Sequence, residues 1–301
     1  MTSAHLAAVG YEDQLRDELE RAGALVTRRH DRLFVVEGPA TTPAWAANTW
    51  FDDVELAAPS IGAAARALRD IQRNWAAFAP VSPGRARLIT ERLPHVSAKP
   101  LAIGTPPPAA ALGSWTLLRD DLILASPRCS SAFSNGEIRL EEDHVGPPSR
   151  AYLKVWEALV RLGRQPAAGE LCLDLGASPG GWTWYLAQLG AHVVAVDKAP
   201  LAAEVAVLAN VSWHAGSAFA LDPGEWSAAR WLFCDVVGYP ERLLALARRW
   251  IDSGWDGNIV STIKFQGATD FAMADQFAAL PGAHLFHLHH NKHELTFARL
   301  V

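Results

Sequence analysis

From residue 149 onward the hydrophobic pattern is regular. Short apolar runs at 171–173, 192–196, 211–214, 231–234, 258–262, 284–287 and 294–300 read as strands. The stretches between them, at 182–189, 200–209, 239–250 and 270–280, read as helices. Ser149 suits the N-cap of a further helix over 150–162. Strands that alternate with helices predict an α/β fold, an open and mostly parallel sheet wound on both faces.

The first half has another texture. An apolar run at 4–8 leads into 11–22, where Leu15 and Leu19 recur at helical spacing and Gly23 stands where a helix would end. A strand at 33–36 follows. Residues 45–50 and 61–78 read as two further helices, with a strand beginning at Leu56 between them. These elements predict a small α+β domain over 1–79. From 80 to 148 prolines cluster at Pro106-Pro107-Pro108 and Pro147-Pro148, with strand-like pieces at 87–90, 115–118 and 122–125. This is an irregular intermediate segment, and 149–301 is the regular domain. No internal repeat is visible.

Composition narrows the class. Of 301 residues, 50% are hydrophobic and 20% charged, which excludes broad disorder. No apolar run has membrane-spanning length. The apolar start is short and runs at once into Glu12, Asp13, Asp17, Glu18 and Glu20, unlike a secretory leader. Cys129, Cys172 and Cys234 are far apart and lack metal-ligand spacing, so they read as reduced thiols of a cytoplasmic protein. The net charge of −5 weighs against the basic footprint of a nucleic-acid binder, although a local patch can act against an acidic average. Arg28-Arg29-His30 with Arg32, then Arg85, Arg87 and Arg92, and Arg248-Arg249 are the basic clusters; each reads first as a solvated face.

The chemistry concentrates in Asp174-Leu175-Gly176-Ala177-Ser178-Pro179-Gly180-Gly181-Trp182, a glycine-rich turn between a strand and a helix. Such a turn lets a ligand approach bare backbone N–H groups near the positive end of a helix. A nicotinamide dinucleotide site wants Gly-x-Gly-x-x-Gly. Here Gly176 is followed by Pro179-Gly180-Gly181, which departs from that spacing. Asp197 ends the next strand, where a carboxylate suits the two hydroxyls of a ribose; this feature is common to nicotinamide and S-adenosylmethionine sites.

The run from Asp174 to Thr183 closely resembles the first motif of the FtsJ-like ribose 2′-O-methyltransferases, which bind S-adenosylmethionine. The resemblance extends over about 148–301. Within that family it is most similar to the M-type methyltransferases of bacterial large-subunit ribosomal RNA, which modify a cytidine. It implies a Rossmann-like doubly wound sheet, S-adenosylmethionine as cofactor, RNA as partner and no metal. It also implies an N-terminal ferredoxin-like domain, and a THUMP domain that is reduced here to the 80–148 segment. Cofactor contacts are implied at Asp174, Gly176, Ala177, Ser178, Pro179, Gly180, Gly181, Trp182, Asp197, Ser217, Phe219 and Asp235. Ser217 stands where the family usually has an aspartate for the adenine amino group, and Phe219 could pack on the adenine.

The family further implies a Lys-Asp-Lys-Glu tetrad, which falls on Lys154, Asp235, Lys264 and Glu294. Asp235 and Lys264 each end an apolar strand, where doubly wound sheets hold their ligands. Lys264 is the expected general base, its pKa lowered by the neighbouring Lys154 cation and by partial desolvation. Lys154 and Asp235 orient the hydroxyl, and Glu294 holds the lysines. The implied activity is methyl transfer to an RNA ribose 2′-hydroxyl, on ribosomal RNA. The alternative is a non-catalytic RNA-binding or assembly protein that retains the fold; a nicotinamide oxidoreductase is disfavoured by Pro179. His287, His289, His290 and His293 read as structural or substrate-edge residues more readily than as a metal site. The 12 tryptophans read as core, with Trp182 a candidate for ligand or base contact.

Overall fold

The computed structural model describes residues 2–38 and 41–301. The chain divides into two compact units, one of Met1–Pro100 with Pro107–Arg139, the other of Leu101–Pro106 with Leu140–Val301. The segment 80–148 is therefore shared between them.

The first unit holds two sheets. One is antiparallel, in the spatial order Leu25–His30, Leu33–Glu37, Thr2–Ala7, Ala46–Phe51, Arg128–Cys129. The helix Glu12–Arg21 links its first two strands in sequence, burying Leu15 and Leu19 as their spacing predicts. The second sheet runs Val54–Ala57, Leu122–Ser126, Gly113–Arg119, Trp75–Ala77. It packs against the helices Ile61–Ile71 and Pro83–Thr90 around Leu68, Trp75, Ile89, Trp115, Leu117 and Ile123.

Three local expectations change here, and one strand is added. Residues 45–50 do not form a helix: Ala46–Phe51 is a strand paired with Thr2–Ala7, so a distant partner overrides a short apolar spacing that suits either state. The helix expected over 61–78 stops at Ile71. Gln72 is extended, and the Trp75 indole N–H folds back to donate to Leu68 O at 2.9 Å, so Trp75–Ala77 leaves as a strand. Residues 87–90 belong to a helix that begins at Pro83, whose missing N–H costs nothing at a first turn. Leu25–His30, rich in charge, is an edge strand, and its Arg28 pairs with Glu55 at 2.6 Å.

The second unit is the predicted α/β layer structure. Its strands are β1 (Leu171–Leu175), β2 (His192–Asp197), β3 (Val211–Ala215), β4 (Trp231–Cys234), β5 (Asn258–Lys264), β6 (Ala283–Phe286) and β7 (Glu294–Arg299). Its helices are α1 (Tyr152–Leu162), α2 (Gly181–Gln188), α3 (Ala203–Ala206), α4 (Pro240–Asp252) and α5 (Phe271–Ala278). The sheet order is β3-β2-β1-β4-β5-β7-β6, parallel from β3 to β5, with β7 antiparallel to both neighbours. Because helices cover both faces, the central strands read as continuous apolar runs. All four residues of β4 are buried, and Trp231 stacks on Phe233 at 5.5 Å. The helix expected over 200–209 is reduced to Ala203–Ala206. Ala202 stays extended and its N–H donates to Pro179 O at 2.9 Å, which ties this segment to the glycine turn. Sequence order reverses between β1 and β4. That switch point opens a crevice beyond their carboxyl ends.

Candidate active site

The glycine turn lies at the carboxyl end of β1. Gly176 has φ +76°, and a Cβ there would stand 2.6 Å from Val236 Cγ2; Gly180 has φ +114°. A Cβ on Gly181 would meet Ser149 Oγ at 2.7 Å. At Gly176 and Gly180 the backbone thus adopts a conformation that favours glycine. The first N–H groups of α2 have no acceptor inside the helix and open toward the crevice edge. Asp174 lies beneath the turn, wholly buried, and accepts the Thr183 hydroxyl at 2.6 Å. Burial pushes its carboxyl up to about 7, helped by the nearby Asp235 and Asp197 charges and opposed by Thr183.

Asp197 ends β2 as expected. Its carboxylate accepts the N–H of Ser178 at 3.1 Å and of Ala199 at 3.0 Å, so it braces the turn. A carboxylate has about four lone-pair sites, so two remain for ribose hydroxyls. The Ser178 hydroxyl donates to Pro200 O at 2.9 Å. Beyond β3, Ser217 Oγ accepts the Phe219 N–H at 3.3 Å, and the Arg242 guanidinium lies 4.2 Å from the Phe219 ring centroid. Trp182 is buried and its indole N–H donates to Ala151 O at 3.0 Å; its ring belongs to the core beside Phe233. Ala177 is buried as well.

The four charged residues form two ion pairs. Lys154, in the first turn of α1, pairs with Glu294. Lys264 Nζ donates to Asp235 O at 2.7 Å and lies 2.9 Å from Asp235 Oδ1. The pairs adjoin, because Lys264 and Glu294 are register partners across β5 and β7. Asp235 directly follows β4, whose Cys234 stands opposite Leu175 of β1. The chain thereby sets two amines and two carboxylates at one sheet edge beside the glycine turn. All four are partly or wholly withdrawn from water, where unpaired charges would be costly.

Sequence reasoning missed the residue that supports Glu294. Glu157 lies one turn after Lys154 and is wholly buried. Its carboxylate accepts the N–H of His289 at 2.8 Å, the N–H of His290 at 3.1 Å and the His290 ring Nδ1 at 2.7 Å. Burial alone would raise its pKa; the His290 and His289 hydrogen bonds outweigh it and hold the group below the usual carboxylate range. Arg161, one turn further, donates to His287 O at 2.7 Å. Together they fasten the 287–293 loop that delivers Glu294. The available signal was two charged residues at helical spacing from Lys154 within an apolar helix. The histidines are divided among these tasks. Burial lowers the His287 pKa to about 4, and His293 Nε2 lies 2.8 Å from Thr269 Oγ1. Among the described residues no group of three or more His, Cys, Asp or Glu could hold a metal ion.

The segment that builds this site has known relatives. Residues 147–240 match the family FtsJ-like methyltransferase. A ribosomal RNA large subunit methyltransferase M from Halorhodospira halophila is 35% identical over 159 residues, which cover 50% of this chain and 46% of that protein. The protein of the same name from Alkalilimnicola ehrlichii is 41% identical over 123 residues, covering 39% and 34%. Among solved structures, the fibrillarin pre-rRNA processing protein of Methanococcus jannaschii aligns with 44% of this chain and 67% of its own, at a TM-score of 0.32 and 18% identity. The matches span less than half the length of these curated relatives.

Proposed function

We propose that this protein, whose residues 147–240 match the FtsJ-like methyltransferase family, transfers a methyl group from S-adenosylmethionine to a ribose 2′-hydroxyl of RNA, in ribosomal RNA of the large subunit. The observation that carries the reading is the adjoining of two lysine–carboxylate pairs, Lys154–Glu294 and Lys264–Asp235, at the end of the sheet that bears the glycine turn.

The turn fits the cofactor by its own chemistry. The first N–H groups of α2, the spare lone pairs of Asp197 and the close backbone passage at Gly176 and Gly180 suit the amino-acid and ribose portions. For the adenine the family resemblance offers Ser217 and Phe219, with the Ser217 hydroxyl a weaker partner than a carboxylate. When bound, the cofactor supplies an electrophilic methyl on a sulfonium, which needs only in-line approach. The remaining work belongs to the protein. Lys154 and Glu294 hold the acceptor hydroxyl in place. Lys264 takes its proton as it attacks. The Asp235 backbone O accepts from Lys264 Nζ and its carboxylate lies 2.9 Å away, so Asp235 fixes where the amine stands.

The reading is tested with radiolabelled S-adenosylmethionine and large-subunit ribosomal RNA from cells lacking the gene. Label enters the RNA, and a 2′-deoxy substitution at the target abolishes it. Lys264→Ala lowers kcat by about 10²- to 10⁴-fold while calorimetric binding of the cofactor persists. Turnover within a few-fold of wild type in that variant would remove Lys264 as the base. Cofactor binding with no transfer to any ribosomal RNA would favour the non-catalytic assembly protein.

A further inference from the structure

Directly after Asp235 the chain presents apolar side chains to water. Val237 is 81% exposed and Tyr239 64%, with Gly238 between them. Isolated exposed apolar residues are ordinary on a protein surface. These two are neighbours, and Asp235, which follows the strand before them, belongs to the proposed machinery. The Tyr239 ring and hydroxyl have no partner among the described residues. Its backbone is nevertheless fixed. Pro240 opens α4, and a residue before proline is confined to extended conformations; Tyr239 has φ −69° and ψ 142°, and its carbonyl accepts the Arg242 N–H at 3.0 Å. A rigidly mounted aromatic ring with only two side-chain torsions loses little entropy when it is covered.

We propose that Tyr239, with Val237 beside it, is the platform on which an unpaired base of the acceptor RNA stacks, the base of the acceptor nucleotide or of its immediate neighbour. The proposal rests on the RNA 2′-hydroxyl reading above. Four residues span at most about 14 Å, so the ring stays close to Asp235 and Lys264. Bases in single-stranded RNA are recognised chiefly by stacking on aromatic rings, and a stack is indifferent to which base is offered. Arg242, one turn along α4, is exposed and forms no ion pair among the described residues, so its guanidinium is available for the adjoining phosphate while it lies over Phe219. An acidic chain that binds RNA needs contacts of this uncharged kind, because its average field repels the backbone.

The probe is a fluorescein-labelled, single-stranded 12-mer oligoribonucleotide of mixed sequence, titrated into the full-length protein at several salt concentrations. Tyr239→Ala weakens binding roughly tenfold, by the same factor at each salt concentration, because no phosphate contact is removed. Tyr239→Phe keeps the affinity within twofold, and both variants keep wild-type cofactor binding and melting temperature. With large-subunit ribosomal RNA as substrate, Tyr239→Ala raises KM and leaves kcat near wild type. Unchanged affinity in Tyr239→Ala, with wild-type binding and transfer intact, overturns the platform alone. Equal loss in the Ala and Phe variants also overturns it, since the hydroxyl rather than the ring would then be the contact. A wild-type protein that neither binds nor methylates RNA overturns the platform together with the function it rests on.

Discussion

Asp174 shows how one residue couples the turn to the pH of its surroundings. Its carboxyl titrates near 7 in the folded protein against 3.8 ordinarily. Below 3.8 both folded and unfolded forms carry the proton. Between 3.8 and about 7 the unfolded chain loses its proton first, so the stability that this group contributes falls as pH rises, and above 7 it levels off. Asp174→Asn lacks that slope. Urea unfolding at pH 5, 6, 7 and 8 should show wild type losing stability relative to the variant up to pH 7 and no further. A constant difference across the series would show that Asp174 titrates as an exposed carboxyl does. The identity of this residue was legible in its motif. Its perturbed state was not, because it arises from burial in the folded chain and from the charge of Asp235, 61 positions away in sequence.

At the scale of elements, Glu157 binds helix α1 to the loop before β7. Removing it leaves the N–H groups of His289 and His290 and the His290 ring without their acceptor, and breaking such a contact of a buried carboxylate costs about 3 kcal/mol. Glu157→Ala is therefore expected to lower the unfolding free energy by about that amount, and to reduce kcat more than KM as Glu294 loses its seat. Glu157→Gln keeps one acceptor and should fall between. Its folded pKa is depressed, so the stability it gives is present above the ordinary value of 4.5 and lost as pH falls through the lower one. The gap between wild type and Glu157→Gln should close on acidification below 4.5; a gap that persists would mean the contact is not ionic. The strands of the second unit were legible because burial on both faces writes them as unbroken apolar runs. Residues 45–50 were not, since Trp45 and Trp50 fit a helix or a strand until Thr2–Ala7 is supplied as a neighbour. Lys154, Asp235, Lys264 and Glu294 could be picked out one by one in the sequence; the cross-strand pairing of Lys264 with Glu294 depends on a register that no local pattern states.

At the scale of the molecule, the chain crosses between its two units more than once. Leu101–Pro106 belongs to the second unit, where Leu101 bridges Leu140 and its carbonyl accepts the Glu141 N–H at 2.8 Å; the chain then returns to the first unit for Gly113–Arg119 and Leu122–Ser126. No single cut separates the units. A nick between Gly104 and Pro107 should leave both fragments associated, since Val54–Ala57 and Trp75–Ala77 on one side pair with strands on the other. Gel filtration of nicked protein should give one peak in native buffer and two in urea. Two peaks without denaturant would show that these pairings are too weak to hold the unit together.

The position of β7 has a consequence for how the protein is made. It follows β6 in sequence yet lies between β5 and β6. Made from the N-terminus, the chain must keep the free edge of β5 waiting, with its apolar Ile259, Val260 and Ile263, until the last strand emerges to fill the gap. An open edge of that kind is a template for any passing strand, including β7 from another copy. The insertion that completes the charged cluster is thus also the step at which two nascent molecules are most exposed to exchanging β7.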